Sequence, residues 1–351
     1  MNCLLYPYYH DLSALMQTLP YYNKTIQITK LAAPAAWQYA TDAPEDVSYD
    51  FDAALKDVEG LVIADTPRNR FMYQDLVKKM QNTLKKHKHV VCATPLQITD
   101  QTTLTESAEE HGVRFEYPVF DKKNDARRGI FVPQECVVIG IGGLFKETDS
   151  FSSLLYLAHR YRELGYRVTA VSDNANGAMC GFVPFPTKVF DDIRRADDGI
   201  RILNSFFNDL QLLYQPDIIL TQIPCGMMKY SDLCPDNFGV EAFMLFQAVD
   251  TDYLILNVPA NMSRWSFYSQ ISRDFEHRFG CKINAVGVTD KRIDASQSEV
   301  RGTIQYIPVK TDVVANDVQK LKNESKKQLL FFDVYDVDSY DELCSASIQI
   351  L

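Results

Sequence analysis

Residues 136–174 read CVVIGIGGLFKETDSFSSLLYLAHRYRELGYRVTAVSDN, and this stretch decides the fold of the second half of the chain. An apolar run predicts a buried strand, glycines follow it, a helical segment comes next, and YRVTAVS predicts a second strand. A strand that leads through glycines into a helix begins a unit with parallel strands. The same arrangement points backbone N–H groups at one spot, where an anion binds well.

The glycine loop matches the phosphate-binding motif G-x-x-x-x-G-K-[ST] only in part. If Gly140 is the first glycine, Lys146 has the offset of the lysine that contacts phosphate. Phe145 then replaces the second glycine, and Glu147 replaces the hydroxyl residue and repels phosphate. The residues leave three interpretations open: a nucleotide phosphate site, a site for another anionic or polar ligand, and a turn needed only for packing.

Loops at the carboxyl ends of neighbouring strands supply further candidate site residues. In a parallel sheet these ends share one edge, where open α/β sheets bind ligands. Thr148 and Ser150 carry hydroxyls that suit a metal ion beside phosphate. The predicted ligand-binding residues are Gly140, Gly142, Gly143, Lys146, Thr148, Ser150, Asp173, Asn174 and Gly226. No catalytic residue is assigned, and no metal-ligand spacing is found.

The N-terminal third alternates short apolar runs with helical segments. Strands are predicted in CLLYPY, KTIQITKLAAP, LVIAD and HVVCAT. Asp11 and Asp50 are the predicted N-caps of two helices, and Gly112 is predicted to end a third helix. No G-x-G-x-x-G motif follows the first strand, so dinucleotide binding is not expected in this part.

The second half continues the alternation towards the C-terminus. Strands are predicted in PDIILTQIP, DYLILNVP and CKINAVGVT, then in RGTIQYIPVK, with LLFFDVYDV as an added edge strand. The charged segment between Phe120 and Pro133 predicts a linker, with a solvated loop inside one domain as the alternative. The chain is therefore expected to form two doubly wound, mostly parallel α/β domains, residues 1–128 and 134–351.

The amino-acid composition indicates which classes of binding partner to expect. The chain has 351 residues and a formal net charge of -10, and an acidic surface repels nucleic acid and anionic lipid. No segment reaches the roughly 18 apolar residues that span a bilayer, and no secretion signal is visible at the start, so a cytoplasmic protein is expected. The 8 cysteines contain no Cys-x-x-Cys pair and are expected to be reduced and buried.

The order of several motifs resembles a family of peptide maturation system proteins, which are encoded beside radical-SAM-type enzymes and ribosomally made, modified peptides in clostridia and their relatives. The motifs are LLYPYYHDLSALM, FDAALKDVEGLVIAD, GIGGLFKETDSFSSLLYLAHRYRELGYRVTAVS, GFVPFP, PDIILTQIPCGMMKYSDLCPDNFG and DYLILNV. The second half also resembles a degenerate member of the P-loop group that includes dethiobiotin-synthetase-like and nitrogenase-iron-protein-like folds, through HRYRELGYRVTAVSDN and MCGFVPFP. The expected fold is thus a Rossmann-like N-terminal domain and a P-loop-NTPase-like C-terminal domain.

The resemblance implies an accessory or binding protein in the maturation of such a peptide, which engages the precursor peptide or a peptide-modifying enzyme. The sheet-edge loops and the tyrosine-rich start, YPYYHD, are the expected contacts. The alternative is an ATP-dependent ligase or transferase acting on a small carboxylate or peptide, with ATP or GTP and Mg²⁺ as cofactors and Lys146 on phosphate. A two-domain metabolite sensor is a third hypothesis. Nucleic acid and membrane are not expected partners, and homodimer formation is left open.

Overall fold

The structure is a computed structural model and describes residues 1–37, 46–117, 131–191, 195–262, 264–325 and 328–349. Two compact units are present: Met1–Lys122 with Asn174–Pro184, and Lys123–Asp173 with Phe185–Leu351. Most of the predicted linker, residues 118–130, lies outside the described residues. The segment Asn174–Pro184 belongs to the first unit although it directly follows a strand of the second.

The first unit is a six-stranded sheet with helices between its strands. The strands are β1 (Asn2–Tyr6), β2 (Gln27–Ala32), β3 (Val47–Ser48), β4 (Gly60–Ile63), β5 (His89–Cys92) and β6 (Phe115–Glu116). The helices are α1 (Ser13–Tyr22), α2 (Phe51–Lys56), α3 (Asn69–Lys85) and α4 (Ile98–Glu110). The strand order is β3-β2-β1-β4-β5-β6, and every pair is parallel.

The core of this unit explains why its strands form. The central strands carry apolar residues on both faces, among them Leu4, Leu61 and Val90, which are fully buried. Residues of α3 such as Met80 and Leu84 pack into the same core. Helices on both faces of a parallel sheet require such continuous apolar strands, because neither face meets water.

The second unit is built around a larger parallel sheet. Its helices are α5 (Ser150–Glu163), α6 (Ala196–Tyr214), α7 (Val240–Ala248), α8 (Trp265–Phe279), α9 (Ala295–Arg301), α10 (Thr311–Ser325) and α11 (Ser339–Ile348). The later strands of the chain are β7 (Val137–Gly143), β8 (Val168–Ser172), β9 (Val183–Pro184), β10 (Ile218–Gly226), β11 (Tyr253–Pro259), β12 (Ile283–Thr289), β13 (Lys291–Ile293), β14 (Tyr306–Pro308) and β15 (Leu330–Asp333). Of these, only β9 belongs to the segment assigned to the first unit. The seven-stranded order is β15-β12-β11-β7-β10-β8-β9, and the pairs from β15 to β8 are parallel.

Several local predictions can be checked against these elements. Asp50 caps α2 by accepting a hydrogen bond from the Ala53 N–H at 3.0 Å, as predicted. Gly112 follows α4 with a φ of 66°, the left-handed conformation expected after a helix. The prediction for Asp11 was wrong: it lies in a single 3-10 turn, and α1 begins after it without a side-chain cap.

The C-terminal part contains one correction and one confirmed strand. The segment RGTIQYIPVK forms only the short β14, which pairs antiparallel with β13 in a hairpin outside the main sheet. Pro308, which has no N–H to donate, ends this strand after three residues. LLFFDVYDV forms β15, the predicted edge strand beside β12.

The structure confirms the α/β fold class: two mostly parallel sheets carry interleaved helices. Within the described ranges, no helix is both long and apolar enough to cross a membrane. All eight cysteines are free thiols, and six of them are buried.

Candidate functional site

The predicted site glycines of β7 lie inside the strand and not in the loop after it. A Cβ atom on Gly142 would lie 2.6 Å from Met227 Sδ, and a Cβ atom on Gly143 would lie 2.1 Å from Thr148 Oγ1. At Gly140 the nearest atom would lie at 3.2 Å, a less severe contact. Close packing against neighbouring side chains therefore accounts for glycine at these positions.

The start of α5 fixes the register of the loop. The helix begins at Ser150, so residues 143–150 join it to the end of β7. The motif G-x-x-x-x-G-K-[ST] has this length and lies between a strand and a helix. Gly143 then takes the place of the first glycine, Thr148 the second glycine and Asp149 the lysine. This register differs by three residues from the predicted one, which had placed Lys146 at the lysine position.

Asp149 occupies the N-terminus of α5 with its own carboxylate. Its two oxygens accept hydrogen bonds from the Ser152 N–H at 3.2 Å, the Ser152 hydroxyl at 2.8 Å and the Tyr335 hydroxyl at 2.7 Å. Its backbone is left-handed, with φ 48°, a conformation that aspartate tolerates better than most residues. The positive end of the helix is thus already satisfied by an anion that belongs to the chain.

Hydrogen bonds from the neighbouring strand hold this loop in place. Asn257, at the carboxyl end of β11, donates to the Asp149 carbonyl at 2.9 Å and to Ser153 Oγ at 2.8 Å. The buried Thr148 hydroxyl donates to the Phe145 carbonyl at 2.8 Å. These hydrogen bonds hold the loop in its shape. Asn257 was missed in the sequence, where its position at a strand end was the only signal.

The β13–β14 hairpin contacts the outer part of the same loop. The Tyr306 hydroxyl donates to the Lys146 carbonyl at 2.5 Å, and the Lys291 ammonium donates to the Glu147 carbonyl at 3.4 Å. These bonds join two segments that are far apart in the sequence. They were not predicted, because RGTIQYIPVK was assigned to the main sheet.

Gln222, near the end of β10, lies beside the first residue of α5. Its Nε2 donates to Ser150 Oγ at 3.0 Å, and its Oε1 accepts from Ser172 Oγ at 2.6 Å. In P-loop enzymes a hydroxyl residue and an aspartate at such positions hold Mg²⁺. A neutral amide offers no charge for that ion. Sequence analysis did not select Gln222, because glutamine in an apolar strand carries no recognised motif.

A nucleotide with Mg²⁺ does not fit these residues. The Asp149 carboxylate stands where phosphate requires a cation, and like charges repel at this distance. The Thr148 side chain and the Phe145 carbonyl fill the space beside Gly143, and Gln222 takes the place of the metal-binding carboxylate. In the part of the chain that the structure describes, no group of three or more histidine, cysteine, aspartate or glutamate residues is arranged to hold a metal ion.

Asp173 directly follows β8 and is a titratable group at this edge of the sheet. Its side chain reaches solvent, yet the surrounding protein displaces enough water to raise the pKa of its carboxyl to about 6. Glu241 on α7 raises this pKa further, and the Lys146 ammonium opposes the rise. Two carboxylates and one lysine therefore share the edge, and one carboxylate changes its charge near neutral pH.

The remaining predicted residues are divided between the two units. Gly226 ends β10 and pairs with Gly143 across the sheet, so it lies at the expected edge. Asn174 begins the segment assigned to the first unit, where its Oδ1 accepts from the Asn176 N–H at 2.9 Å. The structure thus brings the loop hydroxyls and Asp173 to one unit and places Asn174 in the other.

No protein-family model matches the sequence, and no curated protein matches it. The structure is similar to a DUF1611 family protein from Anabaena variabilis ATCC 29413, with a TM-score of 0.61 and 12% identity over 99% of each chain. Chloroplast FtsY from Physcomitrella patens has a TM-score of 0.35 and 13% identity, over 81% of this chain and 89% of that one. Homoserine dehydrogenase from S. aureus has a TM-score of 0.26 and 14% identity, over 61% of this chain and 51% of that one. The first of these similarities shows the fold alone.

Proposed function

We propose that this protein binds a positively charged segment of a peptide at the carboxyl edge of its second sheet, as an accessory component in the maturation of a ribosomally made, modified peptide. The observation that carries the proposal is the Asp149 carboxylate at the N-terminus of α5, held by the Ser152 N–H and by the Ser152 and Tyr335 hydroxyls. This contact replaces the anion that a phosphate loop would bind. The pathway assignment comes from the resemblance of the motifs.

The charge of the edge supports a cationic ligand. Glu241 lies close enough to Asp173 to raise the pKa of the Asp173 carboxyl, and Glu147 is exposed on the loop. The whole chain has a formal net charge of -10, which attracts basic partners from a distance. Lysine and arginine side chains or a free N-terminus of a precursor peptide have the matching charge. A peptide-modifying enzyme that presents a basic loop fits the same site.

The alternative, an ATP-dependent ligase or transferase, lacks a supporting contact. Lys146 is the cation that it requires on phosphate, but this residue lies in the middle of the loop, four positions before α5. Its ammonium lowers the pKa of the Asp173 carboxyl. Nucleotide titration is therefore the result that separates the two functions.

The test is calorimetric titration of the full-length protein with two synthetic peptides of equal length, one basic and one acidic, and with ATP and GTP in the presence of Mg²⁺. The expected result is binding of the basic peptide only. Asp173→Asn and Glu241→Gln should each weaken it by a few-fold, because each removes one negative charge from an edge where water screens the attraction to the peptide. Asp232→Asn is the matched control, since Asp232 is an exposed carboxylate paired with Lys229 in a surface loop.

Two outcomes would contradict the proposal. Equal binding of both peptides, or equal losses in Asp173→Asn and Asp232→Asn, would mean that the edge does not select cations. Nucleotide binding that disappears in Lys146→Ala would instead revive the ligase hypothesis. Pull-down with the co-encoded precursor peptide and modifying enzyme then tests the pathway assignment separately from the charge preference.

A further inference from the structure

The first sheet has a topological switch point of its own. In the order β3-β2-β1-β4-β5-β6, the chain runs outward from β1 to β3, then returns to place β4 on the other side of β1. Connections on the two sides of this point lie on opposite faces of the sheet. The switch point lies at the carboxyl ends of β1 and β4, the place where open α/β sheets bind ligands.

Loops from three adjacent strands meet at this edge. Tyr9 follows β1, Trp37 ends the 3-10 turn after β2, and Arg68 lies in the loop after β4. The Arg68 guanidinium carbon lies 4.3 Å from the centre of the Tyr9 ring and 5.1 Å from that of Trp37. Arg68 Nη2 also donates to the Tyr9 hydroxyl at 3.1 Å. Two aromatic rings thus fix an otherwise exposed cation.

The charge of Arg68 has no counter-ion among the described residues. The Tyr9 hydroxyl is the one hydrogen-bond acceptor that these residues provide for it, although a guanidinium carries five N–H donors. Arg68 therefore keeps N–H donors that can bind a ligand. A planar guanidinium in this state matches the two oxygens of a carboxylate or a phosphate.

Buried polar side chains lie next to Arg68 in the chain and at the neighbouring strand ends, and hydrogen bonds hold them in place. Asn69 donates to the Ala64 carbonyl at 2.8 Å and to Thr94 Oγ1 at 2.6 Å. The Asn176 side chain, from the segment Asn174–Pro184 of this unit, donates to the Asp65 carbonyl at 2.9 Å and accepts from the Asp65 N–H at 2.7 Å. These two bonds hold the backbone of Asp65 at the same edge, and burial raises the pKa of its carboxyl to about 6.

We propose that this edge is a second ligand site, in which Arg68, held by Tyr9 and Trp37, binds the carboxylate or phosphate group of a small organic anion. The residues of this site all belong to the first unit, whereas those of the basic-peptide site belong to the second. Its preferred charge is also opposite, so the two sites take chemically different ligands.

The test uses the fluorescence of Trp37 in the full-length Trp265→Phe protein, which leaves Trp37 as the single tryptophan of the chain. Inorganic phosphate and succinate are titrated separately, each against sodium chloride at equal ionic strength. A saturable signal with phosphate or with succinate is expected, and which probe gives it identifies the anionic group. Arg68→Gln should weaken that binding by about tenfold or more, because a bidentate charged contact is lost.

Arg70→Gln is the matched control. Arg70 is an exposed arginine on the same segment that packs on the Phe71 ring, 4.6 Å from its centre, and its variant should bind as the parent does. Equal weakening in both variants, or no saturable signal with either probe beyond that of chloride, overturns the proposal. If Arg68→Gln fails to fold by circular dichroism, Arg68→Lys replaces it. That variant keeps the charge but not the planar fork, and unchanged affinity in it also overturns the proposal.

Discussion

The Asp149 cap makes a quantitative prediction about the stability of the second unit. In Asp149→Ala the cap bond to Ser152 is lost, which costs about 1 kcal/mol. The Tyr335 hydroxyl loses its acceptor, which costs about 1 kcal/mol. A left-handed backbone is unfavourable for alanine by about 1 kcal/mol more than for aspartate. The summed loss of unfolding free energy is therefore about 3 kcal/mol.

Three further variants separate these contributions. Asp149→Asn keeps an oxygen acceptor and tolerates the left-handed φ of 48°, so it should lose less than about 1 kcal/mol. Asp149→Gly removes the cap but relieves the backbone and should lie between asparagine and alanine. Asp294→Ala is the matched control, because Asp294 caps α9 through the Gln297 N–H at 3.0 Å with an extended backbone. Its expected loss is about 1 kcal/mol.

The assay is urea unfolding followed by the fluorescence of Trp265 in a Trp37→Phe background. Trp265 lies in the second unit, with its ring 6.3 Å from that of the buried Phe331, so it reports on that unit and not on the first. The expected order of stability is parent, Asn, Gly, Ala. If Asp149→Ala loses no more than Asp294→Ala, Asp149 is an ordinary cap, and the argument that it replaces a bound anion fails.

Three other predictions concern both sheets. Gly143→Ala should lower the unfolding free energy by about 1–3 kcal/mol, because its Cβ would lie 2.1 Å from Thr148 Oγ1. Thermal unfolding measures this loss, and an unchanged melting temperature would contradict the close packing at Gly143. The triple variant Thr148→Gly, Asp149→Lys, Gln222→Asp recreates G-x-x-x-x-G-K-S with a metal-binding carboxylate and should gain affinity for ATP with Mg²⁺ that the parent lacks, as calorimetry will show. Asp65→Asn should stabilise the first unit at pH 8 by at most about 3 kcal/mol and not at pH 3. The pKa of Asp65 rises from 3.8 to about 6 in the fold, so its protonated form stabilises the fold at low pH and this contribution is lost as the pH rises through 6. A pH-independent difference between variant and parent in Trp37-monitored unfolding would refute it.

Local sequence was sufficient for the alternation of strands and helices. The buried strands carry long apolar runs, and Asp50 and Gly112 mark a helix start and a helix end through interactions with their nearest neighbours. β15 was predicted as an edge strand from its own apolar run. Such features depend on residues only a few positions apart, so the sequence displays them directly.

The candidate sites depend on contacts that local sequence does not show. The register of the phosphate-loop segment could not be predicted, because the strand continues through Gly143 only when Met227 and Thr148 pack against its glycines. Gln222 and Asn257 become site residues only when β10 and β11 lie on either side of β7. The start of α5 in turn depends on Asp149, which Tyr335 holds from 186 positions away along the chain.

The sequence by itself therefore determined the two parallel α/β sheets and the edge on which each presents its loops, because hydrophobic periodicity and glycine conformation act locally. The tertiary structure alone decided what those edges can bind. It placed the Asp149 carboxylate where a phosphate loop has a lysine, and it brought Tyr9, Trp37 and Arg68 together from three separate loops. Charge and geometry at a site come from side chains that only the folded chain brings within a few ångströms, where electrostatic attraction and repulsion become strong enough to select a ligand.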